Sequence, residues 1–127
     1  MKLYFFIFFF LRGHILCGEF VWLTDIHMDE KKSLEVYEFL QTLSEECKDA
    51  DGIFITGDIG EWGTCIPFIE VVEKTNNTPI YFVLGNHDFY GQSIEHFQEK
   101  VVLYFKSNPI VHYCIVNKIF THRDASF

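Results

Sequence analysis

Three short apolar runs, each emptying into a knot of polar residues, organise the front of this chain. Phe20 to Thr24 leads into Asp25-Ile26-His27, Ile53 to Thr56 into Gly57-Asp58, and Ile80 to Leu84 into Gly85-Asn86-His87-Asp88. Between the runs, apolar residues recur at three- and four-residue spacing, the signature of amphipathic helices. Leu34, Tyr37, Leu40, Leu43 and Cys47 form one stripe, with Ser33 as the expected cap. Cys65, Phe68, Ile69 and Val72 form a second after Thr64, with Pro67 early enough to be tolerated. Ser93 opens a third that carries Ile94, Phe97, Val101 and Val102. Asp49 to Gly52 and Asn76 to Pro79 are breaks.

Strand, helix, strand, helix, strand predicts an α/β fold, a βαβαβ parallel sheet with right-handed crossovers. All strands then point one way, and their carboxyl ends share the edge where ligands of open α/β sheets gather. Asp25, His27, Asp58, Asn86 and His87 all follow strand ends, so this topology would bring them together. Ile110 to Phe120 is rich in β-formers and predicts one or two further strands, followed by a polar tail. The expected organisation is an apolar amino-terminal extension over 1–19, the α/β domain over 20–105 and a divergent tail over 106–127.

Composition narrows the function. At 127 residues the chain forms one domain at most, and 49% hydrophobic residues with 15 Phe exclude disorder over most of its length. A formal charge of -8 argues against nucleic acid or an anionic membrane surface as partner. The four cysteines Cys17, Cys47, Cys65 and Cys114 show no C-x-x-C pairing, so reduced core thiols are expected rather than a zinc knuckle or disulfide framework. Lys2 followed by Leu3 to Leu11 looks like the start of a secretory signal, yet no small-x-small cleavage site follows, and the run is too short to span a bilayer. A cytoplasmic location is expected, with export through a weak signal as the alternative.

The three knots suit a divalent cation. Asp25 and His27, two apart on an extended segment, would share a face and one metal. Asp58, held by the turn that Gly57 permits, has two carboxylate oxygens with which to bridge a pair of cations. Asn86 would offer a neutral carbonyl oxygen to the second. His87 is then available to protonate a leaving alkoxide, and Asp88 to orient that imidazole or favour its charged form. A single Asp at a strand end is ordinarily a cap or turn former, and it is the ordered coincidence of all three knots that argues for a site.

In this order these three elements resemble the calcineurin-like metallophosphoesterases, whose first motifs read D-x-H, G-D and G-N-H-[D/E]. The resemblance implies hydrolysis of phosphomonoesters or phosphodiesters at a binuclear centre of iron, manganese or zinc within an α/β sandwich. It assigns Asp25, His27, Asp58 and Asn86 as metal ligands and His87 as proton donor, with a small phosphoester as substrate. The resemblance covers roughly residues 20–102. Downstream stand only His96, His112 and His122, none in the family's final G-H-x-H pattern, so the expected object is a truncated domain. The alternative is an inactive fragment that binds metal weakly or serves as an interaction module.

Overall fold

A computed structural model describes residues 11–15, 18–115, 121–122 and 125–126. Its centre is a five-stranded sheet in the order β1 (Leu11–Ile15), β2 (Gly18–Leu23), β3 (Gly52–Thr56), β4 (Ile80–Val83), β5 (Val111–Tyr113). β1 runs antiparallel to β2, and the other pairings are parallel. The crossovers are α1 (Ser33–Glu46), α2 (Trp62–Asn76) and α3 (Ile94–Phe105). Two short strands, β6 (Thr121–His122) and β7 (Ala125–Ser126), pair antiparallel apart from the sheet.

The predicted βαβαβ grammar holds, because strands buried in a parallel sheet read as unbroken apolar runs. Each parallel strand is added on the same side of its predecessor, so right-handed crossovers carry all three helices over one face. Val21, Leu23, Ile53, Ile55, Ile80, Phe82 and Val111 point into a single core with Phe39, Leu43, Ile69, Val72, Phe97 and Val101 from the helices. The intervening strand residues build an aromatic ladder on the opposite face. Phe20 stacks on Phe54 with centroids 5.0 Å apart, Phe54 tilts on Tyr81 at 5.7 Å, and Tyr81 stacks on His112 at 5.0 Å. Trp22 joins that face through a 2.8 Å hydrogen bond from its indole N–H to the Thr56 hydroxyl.

Several local expectations shift. The segment 11–15, read as part of an extension, contributes edge strand β1. In α1 the buried face is Phe39 and Leu43 with Cys47 just beyond, while Leu34 and Tyr37 are exposed. Ser33 is the first helical residue rather than the cap, and the Glu35 carboxylate accepts the Lys32 N–H at 2.8 Å. α2 starts at Trp62, so Pro67 is its sixth residue rather than part of its first turn. Ser93 does cap α3, accepting the His96 N–H at 3.3 Å. Cys47, Cys65 and Cys114 are free thiols, and Cys17 lies outside the described residues. Among the described residues no helix is long and apolar enough to cross a membrane.

Candidate metal centre

The loops after β2, β3 and β4 are stitched to one another. Beyond the β2–β3 ladder, the backbone N–H groups of Asp25, His27 and Met28 donate to the carbonyls of Gly57, Asp58 and Ile59 at 3.2, 3.0 and 2.7 Å. The second seam is a side chain. Asp88, fully buried, accepts the N–H groups of Ile59 and Gly60 on one oxygen (2.8 and 3.1 Å) and those of Asp58 and Gly85 on the other (2.9 and 2.8 Å). Burial pushes its carboxyl pKa up, and the four amides pull it back. Asp58 completes the seam by accepting the His87 N–H at 3.0 Å.

Closure is tight. Gly57 has φ +92°, and a Cβ built on Gly85 would lie 2.7 Å from the Asp58 nitrogen, so this approach requires glycine. Asp25, His27 and Asp58 themselves sit at φ 51°, 49° and 52°. They are three of the four non-glycine residues with positive φ among those described, the fourth being Asn77 at the end of α2. Left-handed backbone is uncommon outside glycine and concentrates where function over-determines it.

Asp25, His27 and Asp58 each present a ligand atom within 4.8 Å of the other two. The juxtaposition of Asp25 and His27 therefore occurs, but not through the extended segment expected: both turn left-handed around the buried Ile26. One Asp25 oxygen accepts the Thr24 hydroxyl at 2.7 Å and one Asp58 oxygen accepts His87 N–H, which leaves the second oxygen of each. His27 Nδ1 is buried without a hydrogen-bond partner among the described residues. A buried imidazole nitrogen without a partner is costly, and His27 also offers a ring nitrogen within 4.8 Å of ligand atoms on Asp25 and Asp58, a mixed oxygen and nitrogen set that fits a divalent metal.

His87 sits beside this group. Its ring meets His27 edge-on at 4.6 Å, lies against Tyr90 at 4.5 Å, and brings Nε2 to 3.5 Å from Asp29. With His27 and Glu30 it forms a second set of donors within 4.8 Å. Asn86 and His87 are not on an extended segment: Asn86 is helical and His87 begins a 3₁₀ turn, His87–Phe89. The Asn86 amide nitrogen donates to the Tyr90 hydroxyl at 3.4 Å. Asp88 does not orient the His87 imidazole as expected, because both of its oxygens are committed to backbone amides. The carboxylate at that ring is Asp29.

Sequence reasoning missed Asp29, Glu30 and Tyr90. The two acids directly after His27-Met28 were visible, but nothing in a lone acidic pair separates it from solvated surface. His96 lies on α3 and His112 in the aromatic ladder, where burial lowers its pKa; neither joins the donor groups. The His122 side chain lies outside the described residues. An open cavity of about 870 Å³ bordered by Val83, Leu84, Val102, Leu103 and Tyr113 does not include the strand-end donors.

Comparison with known proteins matches residues 19–124 to the family described as calcineurin-like phosphoesterase, a longer stretch than the motifs alone marked out. Among curated relatives, a UDP-2,3-diacylglucosamine hydrolase of Vibrio vulnificus is 27% identical over 79 residues, covering 54% of this chain and 32% of the relative. One of Shewanella baltica is 34% identical over 74 residues, covering 51% and 31%. The chain thus matches about a third of the length of these relatives.

Proposed function

Because the chain belongs to the calcineurin-like phosphoesterase family, a family of hydrolases, we propose that it hydrolyses phosphomonoesters or phosphodiesters with two divalent cations held at the carboxyl ends of β2, β3 and β4. The observation that carries this reading is the Asp25–His27–Asp58 cluster, with its three left-handed backbones and its orphaned imidazole nitrogen.

Asp25 and His27 would hold one cation, Asp58 would bridge, and Asn86 would give its carbonyl oxygen to the second. Bound divalent ions supply Lewis acidity and a nucleophile at neutral pH. His87 would deliver a proton to the leaving alkoxide, and Asp29 lies 3.5 Å from its Nε2. Asp88 does its work indirectly, by fixing the two loops that present Asp58 and His87. Manganese, iron and zinc all suit this mixed oxygen and nitrogen set.

The second reading, a weak metal binder without turnover, is favoured by one observation: His96 and His112 lie away from the cluster and add no ligand to it. Hydrolysis of a chromogenic phosphodiester with added Mn²⁺ separates the two. Turnover in the native chain, lost in Asp58→Asn and His87→Ala, is the expected result. Equal rates in all three proteins would remove the mechanism.

A further inference from the structure

We propose that Tyr90, which nothing in the motif pattern marks, is a positioning residue that commits the oxygen of the Asn86 amide to the cation. The inference rests on the metal-centre reading above. A side-chain amide ligates a cation only through its oxygen, so its nitrogen must find an acceptor elsewhere. The Tyr90 hydroxyl is that acceptor, at 3.4 Å from Asn86 Nδ2. With the nitrogen spent there, the amide has its carbonyl oxygen left to offer.

Tyr90 is itself held in place. Its N–H donates to the His87 carbonyl at 3.0 Å, and its carbonyl accepts the Trp62 N–H at 3.5 Å from the start of α2. Gly91 next to it has φ +92°, and a Cβ there would come within 2.5 Å of the Trp62 indole, so the chain is pressed against that ring. The Tyr90 ring also lies on the His87 imidazole with centroids 4.5 Å apart. One side chain therefore faces the two neighbouring residues to which the reading gives different tasks. Tyr90 is 49% exposed, so its hydroxyl is not needed to fill the core. Groups that orient metal ligands are typically worth a factor of about 10 to 100 in metal affinity.

The test is Mn²⁺ binding by isothermal titration calorimetry on four proteins: native, Tyr90→Phe, Asn86→Asp and the double variant. A carboxylate presents two equivalent oxygens and needs no orienting partner. Tyr90→Phe should therefore weaken Mn²⁺ binding about 10-fold with Asn86 present, and by less than about 2-fold with Asp at 86. Thermal unfolding without metal should be unchanged by Tyr90→Phe. Undiminished affinity in Tyr90→Phe would overturn the role while leaving the metal centre standing. Equal loss in both backgrounds, with a lowered melting temperature, would overturn it in favour of plain packing. No Mn²⁺ binding by the native chain would remove the metal centre, and this inference with it.

Discussion

Asp88 accepts the backbone N–H of Asp58 at 2.9 Å across thirty residues of sequence, and both its oxygens are filled by main-chain donors. The last residue of the G-N-H-D knot is thus a clasp between two loops. Removing it would leave the buried N–H groups of Ile59 and Gly60 unsatisfied along with those of Asp58 and Gly85. Asp88→Ala should cost about 3 kcal/mol or more in urea unfolding, and Asp88→Asn less, since the amide oxygen can still accept. A change under about 0.5 kcal/mol for Asp88→Ala would show that the clasp is dispensable.

Asp25 tests whether local strain is kept for ligation. Its left-handed backbone costs roughly 1 kcal/mol in a non-glycine residue, and glycine's extra unfolded-state freedom costs about as much. Asp25→Gly should therefore leave metal-free stability within about 0.5 kcal/mol while weakening Mn²⁺ binding at least about 10-fold. Asp25→Val, β-branched in the same conformation, should destabilise by about 2 kcal/mol. Equal Mn²⁺ affinity in native and Asp25→Gly proteins would take Asp25 out of the site.

The legibility of this fold is uneven for physical reasons. The parallel strands announced themselves because one face packs against the helices and the other carries the aromatic ladder, so Ile80–Val83 is an unbroken apolar and aromatic run. Their order then placed Asp25, Asp58 and His87 on one edge. β1 was hidden because an edge strand such as Leu11–Ile15 carries no continuous apolar run. The face of α1 was misjudged because its apolar residues suit two overlapping stripes, and only packing decides that Phe39 is inside and Tyr37 outside. Asp88 was misread because a carboxylate beside a histidine invites a pairing. Only the tertiary fold reveals four nearer amide donors.

The aromatic ladder yields a pH dependence. Burial lowers the pKa of His112 below its ordinary 6.5, so the unfolded chain binds this proton more readily than the folded one. Stability is fully present above 6.5 and falls as the pH drops through that value toward the folded pKa. His112→Phe keeps a ring against Tyr81 and removes the titration, so its stability should fall less between pH 7 and pH 5 than that of the native chain. Chemical denaturation at the two pH values measures this. Equal losses in both proteins would contradict it.

Burial and the Glu46 charge raise the Cys47 thiol to about 12, and burial also drives the Cys65 thiol upward. A thiol of that pKa is about one part in ten thousand thiolate at pH 8. Iodoacetamide at pH 8, read by mass spectrometry, should leave both unmodified in the native protein and label both after denaturation. Native labelling at the denatured rate would place these thiols outside the core.

Anomalous scattering from crystals of the native chain grown with Mn²⁺ would locate the cation itself. A manganese peak is expected among the carboxylate oxygens of Asp25 and Asp58 and the imidazole of His27, absent from Asp58→Asn crystals grown alike. Well-ordered crystals with those donors unoccupied at saturating Mn²⁺, or with the peak elsewhere, would contradict that placement.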